Sequence, residues 1–259
     1  MHHVVSLSGG SASAVAASRV IDRYGKENTT LWFADTLWED DDLYRFLNDL
    51  EQLWDMTIKR HTEGRTPLQV AEDRKIIPNS RIAPCSLVLK QQPFKRFLTK
   101  HKKPMTVHLG LDWTEAQRMA RPKETYEEIE GVHVDYPLTW KPLPNLRYND
   151  TIREWGIEVP RLYLMGFPHN NCGGRCVRQG VKEWKRLKEH FPQRFDDVAE
   201  WEQAQRAKGG PRGEWSIAKH TVDGEVKALT LIDLKRLDED SPQLGMFEAQ
   251  DSFGCFCAY

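Results

Sequence analysis

Cysteine is scarce in this chain, five residues in 259, and the count is odd. An odd count with no leader pattern argues against a disulfide framework. Clustered cysteines in a reducing compartment are more often metal ligands or redox groups. Neither sign of charge is in excess: 37 Lys and Arg stand against 38 Asp and Glu, a formal net charge of -1. That balance excludes a uniformly basic nucleic-acid coat, though not a local patch. No apolar run is long enough to span a bilayer, so no membrane partner is expected. The opening Met1-His2-His3-Val4-Val5 runs straight into a strand-like segment and lacks signal-peptide architecture, so a cytoplasmic protein is expected. Internal repeats and low-complexity tracts are also missing. What remains is globular composition, with enough apolar residues to build a core without disulfides.

Strand and helix signals alternate along the first part of the chain. Val4–Leu7, Thr30–Ala34, Met56–Lys59, Thr106–Leu111 and Val132–Leu138 read as strands. Helical patterns fall at Ala14–Ile21, Asp41–Trp54, Leu68–Arg74, Leu87–Lys100 and Asn149–Trp155. Beyond residue 165 the character changes. His169–Cys176 is polar and glycine-rich, Val177–His190 reads as a basic helix, Phe195–Ala207 as another, and Gly209–Gly213 as a loop. The expectation is an α/β fold, a mostly parallel Rossmann-like sheet with helices on both faces, over residues 1–165. A smaller helical, cysteine-bearing region, 166–259, would pack on the active site. Ligands in such sheets sit at the carboxyl ends of the strands.

Three segments fall at those ends: Ser8–Ser13, Asp35-Thr36 and Gly110–Arg118. In Ser8-Gly9-Gly10-Ser11-Ala12-Ser13 the glycines let the backbone approach an anion. The following helix turns unpaired N–H groups and its positive dipole end toward it, and the serines are further candidate donors. A tight turn that binds nothing is the alternative for the turn alone. No lysine follows the glycines, so this is not a Walker A loop. Asp35, Asp112 and Glu115 are candidates to hold Mg²⁺ with nucleotide phosphates, or equally to cap helix starts.

Ser8-Gly9-Gly10-Ser11-Ala12-Ser13 resembles the SGGxxS signature of the PP-loop ATP pyrophosphatases. That superfamily includes phosphoadenosine phosphosulfate (PAPS) reductases, adenylating tRNA thiolation enzymes and DNA phosphorothioation enzymes. The resemblance continues through Phe33-Ala34-Asp35-Thr36, the segment Arg81–Lys90 with Cys85, Gly110–Arg118 and Tyr136-Pro137-Leu138. It implies adenine-nucleotide binding at Ser8, Gly9, Gly10, Ser11, Ser13, Asp35, Thr36 and Gly110, with Lys90, Glu115 and Arg118 at the reacting phosphates. PAPS reductases usually modify the double-glycine turn and carry a Glu-Cys-Gly tail. This chain keeps the unmodified turn and has no Glu-Cys-Gly. The leading expectation is therefore ATP cleavage to AMP and pyrophosphate, adenylating a substrate for sulfur transfer. A PAPS or APS reductase-like enzyme with a reactive cysteine and a thioredoxin-like reductant is the second, and a non-catalytic nucleotide-sensing or nucleic-acid-binding subunit the third.

The cysteines form a C-x3-C pair, Cys172 and Cys176, and a C-x-C pair, Cys255 and Cys257. If the tail folds back, these four thiolates suit a 4Fe-4S cluster, with zinc as the alternative and free or redox-active thiols as a third outcome. Cys85 stands apart, either a plain buried thiol or one activated by neighbouring cations. Two basic stretches, Lys90–Lys103 and Arg175–Lys188, are candidate tracks for a nucleic-acid acceptor or simply solvated helix faces.

Overall fold

In the computed structural model the described residues are 1–101, 103–141, 143, 147–222 and 224–240. Five parallel strands form one sheet in the order β3-β2-β1-β4-β5. They are β1 (His2–Leu7), β2 (Thr29–Asp35), β3 (Ile58–Thr62), β4 (Met105–Leu109) and β5 (Val132–Asp135). Val5 is in register with Leu31 on one side and His108 on the other. The centre of the sheet is apolar on both faces, with Val4, Val5, Leu31, Phe33, Val107 and Leu109 fully or almost fully buried. Parallel strands covered by helices on both faces need such continuous apolar runs.

The chain winds outward from β1 to β2 and β3, then returns to β1's other side for β4 and β5. The order reverses between β1 and β4, and a crevice opens at such a switch point beyond the strand ends. The turn after β1 and the segment after β4 meet there. α1 (Ser11–Tyr24) and α2 (Asp41–Trp54) pack one face, sharing a core with Val5, Leu7, Leu31 and Phe33. α2 buries Leu43, Phe46, Leu47, Leu50 and Trp54, the helical spacing read from sequence. The other face is covered through Phe94, Leu98 and Tyr126, from α5 (Gln92–Lys100) and α6 (Ala120–Glu127).

A further core unites Leu68, Ile77, Cys85 and Leu89 with Trp184, Leu187, Phe195, Val198 and Leu234. It thus mixes residues from both sides of position 165. The elements that contribute late are α10 (Val181–His190), α11 (Pro192–Ala207), a hairpin of β6 (Ala218–Val222) and β7 (Glu225–Leu229), and α12 (Leu231–Asp240).

Several sequence expectations shift. The strand expected over 132–138 stops at Asp135, because Pro137 has no N–H for a ladder and instead opens the short helix Pro137–Trp140. The helix expected over 87–100 is not uniform: Leu87–Gln91 is π-helical before α5 begins. The helix expected from Val177 begins at Val181, after Gly180. Gly209–Gly213 was expected as a loop, yet Gly210–Glu214 forms a 3-10 turn. The β6–β7 hairpin was not expected at all.

Candidate functional site

The anion turn is built by glycine geometry. Gly9 has φ +78°, the left-handed region, and a Cβ there would lie 2.6 Å from the Leu43 side chain. Gly110 lets β4's exit approach α1: a Cβ would sit 2.9 Å from Ser13 Cα, a backbone atom that cannot step aside. No side chain caps the N-terminus of α1, so its first N–H groups face the crevice uncapped. The serine hydroxyls serve the turn itself. Ser13 Oγ donates to Gly10 O at 2.8 Å and accepts from Ser8 N and Ser8 Oγ, each at 3.1 Å. Ser11 Oγ donates to Asn149 Oδ1 at 2.6 Å. Backbone N–H groups, more than hydroxyls, are thus left for an anion.

These segments line a cleft of about 620 Å³. That volume suits a nucleotide-sized ligand. Ser8, Gly10, Ser11, Ser13, Lys90, Gly110, Asp112, Glu115 and Arg118 line it, as expected from sequence. The far wall comes from the second half of the chain: Tyr148, Asn149, Tyr163, His169, Asn170 and Asn171. Asn170 is buried and its Nδ2 donates to Gly9 O at 2.8 Å, bracing the turn from 161 residues away. None of these far-wall residues except His169 was singled out from sequence.

The acidic candidates are committed elsewhere. Asp112 Oδ1 accepts from Thr114 N at 2.8 Å, capping the 3-10 turn Trp113–Arg118, and its Oδ2 accepts from Tyr148 OH at 2.9 Å. Burial, then this bond to Asp112, pushes the Tyr148 hydroxyl far above its ordinary value. Glu115 is ion-paired with Arg118, so two of the three expected active-site charges offset one another. Asp35 Oδ1 accepts from Leu37 N and Tyr44 OH, both at 2.8 Å. Asp35 and Thr36 are not among the cleft-lining residues. With these engagements Asp35, Asp112 and Glu115 do not fit a shared Mg²⁺ site.

Lys90 occupies a junction. It lies in the π-helical stretch, a local widening often found at functional positions, and is 12% exposed. It lines the main cleft and also a cavity of about 10 Å³ bordered by Thr36, Cys85, Cys172, Arg175 and Cys176. Its Nζ stands 3.9 Å from Glu39 Oε1. Glu39 is wholly buried. It accepts from Thr36 Oγ1 at 2.8 Å and from the Cys172 backbone N–H. Burial raises its carboxyl above the ordinary range, with Lys90 and those two bonds opposing.

The loop 36–40 grips the cysteine turn at further points. Arg175 donates to Trp38 O at 3.2 Å and stacks 3.7 Å above the Trp38 ring. Arg194 donates to both Asp40 Oδ2 at 2.6 Å and Gly173 O at 3.1 Å. Burial pushes Asp40 upward, but bonds from Arg161 and Arg194 outweigh it and hold the carboxyl below its ordinary value. Cys172, Gly173 and Gly174 all have positive φ, 52°, 57° and 76°. Cys172 is the costly member, since only glycine adopts that region freely.

Cys172 and Cys176 are buried and pack against one another beside Trp38. Cys255 and Cys257 lie outside the described residues. Among the described residues no group of three His, Cys, Asp or Glu is placed to hold a metal ion. The four-thiolate set expected from sequence therefore has only its first pair, Cys172 and Cys176, among the described residues. Within the two basic stretches Lys95 pairs with Glu128 at 2.8 Å, Arg96 with Glu63, and Arg186 with Glu183 at 3.9 Å. Among the described residues no helix is long and apolar enough to cross a membrane.

The model of the phosphoadenosine phosphosulfate reductase domain matches residues 2–172. The chain belongs to the phosphoadenosine phosphosulfate reductase domain family. The family match thus takes in β1 through the start of the cysteine turn. No curated protein matches the chain. Among solved structures it is similar to the phosphoadenylyl-sulfate (PAPS) reductase from Candida auris in its phosphate complex. The identity is 15% and the TM-score 0.45, with 66% of this chain and 79% of that one covered.

Proposed function

We propose that the chain binds an adenine sulfonucleotide, PAPS or APS, in the cleft and releases its sulfonate reductively. The observation that carries this reading is the junction at Lys90, which places a cation between an uncapped anion turn and a set of buried cysteines. Family membership supports the same reading and demotes the ATP-adenylation chemistry that the unmodified SGGxxS turn favours. The phosphate and sulfonate oxygens would lie against the N–H groups of Ser11–Ser13, with Lys90 beside them. Here the chain's contribution is positioning and charge stabilisation.

The chemistry is a thiol displacement. A cysteine thiolate attacks the sulfonate sulfur, an S–S bond forms, and the bond from sulfur to the phosphate oxygen breaks. The adenosine phosphate leaves with that electron pair. A second thiol attacks the cysteine sulfur of the resulting Cys–S–SO₃⁻, giving a disulfide and releasing sulfite. An external dithiol of the thioredoxin class then returns the protein to the thiol state. Cys255 and Cys257 are candidates for the attacking thiol, with residues 166–259 as a cysteine-bearing region that packs on the active site of 1–165.

A second reading keeps the nucleotide and changes the bond: ATP cleaved between its α- and β-phosphates to adenylate an acceptor before sulfur transfer. The unmodified Ser8-Gly9-Gly10 turn favours it. One assay separates the two. With dithiothreitol present, sulfite release from PAPS or APS supports the reductase reading. Pyrophosphate release from ATP, with no sulfite from either sulfonucleotide, replaces it with the second.

A further inference from the structure

The first turn of α8 (Tyr148–Glu154) is tied to both strand exits that frame the crevice. Tyr148 OH donates to Asp112 Oδ2, in the segment after β4, at 2.9 Å. Its neighbour Asn149 is bound to the turn after β1, where Asn149 Oδ1 accepts from Ser11 Oγ at 2.6 Å. Ile152, further along α8, is fully buried in the core that α1 shares with the sheet. Two polar bonds and one apolar anchor therefore fix this part of the wall. The wall also closes on the turn at a second point, since a Cβ on Gly10 would lie 2.7 Å from Tyr163 Oη.

Asn149 has hydrogen-bonding capacity left over. A side-chain amide offers one acceptor oxygen and two donor hydrogens on its nitrogen. Ser11 engages the oxygen, which restrains the plane of the amide and with it the heading of the nitrogen. Among the described residues Asn149 Nδ2 donates to no protein atom. Asn149 is half-buried and lines the cleft together with Ser11, the first residue of α1. Its NH₂ group therefore stands beside the uncapped backbone N–H groups of that helix, held in place before any ligand arrives.

We infer that Asn149 is a binding and specificity residue of the cleft, its NH₂ group donating to a phosphate or sulfonate oxygen seated on the N-terminus of α1. The inference rests on the reading of the cleft as a site for an anionic nucleotide, and it holds for a sulfonucleotide or for ATP. The Ser11 hydroxyl is engaged by Asn149, so an amide stands where the serine-rich turn would otherwise present a hydroxyl. The difference matters for selection. A hydroxyl rotates to donate or accept, whereas an amide nitrogen only donates. The exchange turns a two-way group into a one-way donor, which suits an oxyanion and rejects a ligand group that must itself donate. A bond to an ionised acceptor is about twice as strong as one between neutral groups. Because Ser11 restrains the amide, little side-chain freedom is lost when the anion binds.

Inorganic phosphate is the probe, titrated by calorimetry into the full chain and into Asn149→Ala and Asn149→Asp. The aspartate keeps the oxygen that Ser11 engages and puts a second oxygen in place of the donor, while the alanine removes both groups. Asn149→Ala should bind phosphate about tenfold more weakly than the parent, the scale of one charge-assisted hydrogen bond. Asn149→Asp should be weaker still, by about a hundredfold, although its melting temperature stays at or above that of Asn149→Ala. A role confined to holding Ser11 gives the reverse order, with the aspartate variant nearer the parent. Contact is read separately by NMR of nitrogen-labelled protein: the side-chain NH₂ pair that Asn149→Asp deletes should shift when phosphate is added to the parent. The inference is overturned by the reverse order, by an alanine variant that binds as the parent does, or by an NH₂ pair that stays still while phosphate binds. Those three outcomes leave the anion site standing. A parent chain that binds neither phosphate nor any of PAPS, APS and ATP overturns the reading of the cleft and this inference together.

Discussion

Single residues decide how the cleft is shaped, and two of them are glycines with different duties. Gly110→Ala pushes a methyl group to within 2.9 Å of the Ser13 backbone, so α1 and the exit of β4 must separate. We expect a stability loss of about 1–3 kcal/mol, in the range of overpacking. Loss of phosphate binding should exceed what the melting temperature alone predicts, as titration calorimetry with inorganic phosphate would report. Lys90→Ala removes the cleft's junction cation and leaves Glu39 buried without it. Nucleotide affinity should fall by about tenfold or more, a loss of about 1.4 kcal/mol per decade, and the melting temperature should fall too. Lys90→Arg should restore stability better than affinity, since a planar guanidinium cannot reproduce a point charge in that space. The turn after β1 was legible from residue types alone, because glycine and small hydroxyl residues leave few other structures open. Glu39 was not. Its sequence neighbours Asp40, Asp41 and Asp42 make it look like part of a solvated acidic run, and only the distant Cys172 N–H reveals its burial.

At the level of elements, α11 supplies the pin that holds the late hairpin. Glu202 is 1% exposed, and its two oxygens accept from Ile217 N at 2.6 Å and Leu231 N at 2.7 Å. Burial pushes its carboxyl up to about 7, against those two bonds. Glu202→Ala strands two buried N–H groups. It should cost about 2–6 kcal/mol, at about 1–3 kcal/mol for each donor, measured by urea unfolding. Hydrogen exchange should show the loss first at β6, β7 and α12. These elements escaped the sequence reading for a physical reason. β7 is exposed along most of its length, so it lacks the apolar alternation that marks a strand. The three central strands were legible in kind because parallel, doubly covered strands must be apolar, whereas the edge strands β3 and β5 carry exposed polar residues. Element ends were less legible: Pro137 and the π-helical Leu87–Gln91 depend on packing that local pattern does not encode.

The whole molecule should show an acid-side instability seated among residues that do not line the cleft. His108 on β4 is fully buried, its Nε2 2.9 Å from His3 Nδ1 on β1, with Asp135 at 3.7 Å and Tyr24 and Trp140 rings packed around it. Burial drives its pKa down to about 4. Asp135 opposes that shift, while His3 and Arg23 add to it. Burial likewise lowers His3. The folded state therefore favours neutral imidazole, whereas the unfolded chain protonates near 6.5. Stability from this site is full above pH 6.5 and is lost as pH falls from there to about 4, on the order of 3 kcal/mol. Glu202 runs the other way. Its folded pKa near 7 exceeds the ordinary 4.5, so its contribution is greatest below 4.5 and declines as pH rises through 7. The two overlap, and His108→Gln separates them: stability of that variant should fall less between pH 6.5 and 4 than that of the parent chain. A parallel fall in both would show that the imidazole pair is not the seat of the acid loss.

The bond from Asn170 to Gly9 has a consequence in time. The anion turn leaves the ribosome well before the side chain that braces it, which follows 161 residues later. At about 5–20 residues per second, roughly ten to thirty seconds of synthesis separate the two. Through that interval the nascent chain carries a turn of the right sequence and the wrong rigidity. Nucleotide capture should therefore be a late event in biogenesis, arriving with Asn170 and not with the sheet.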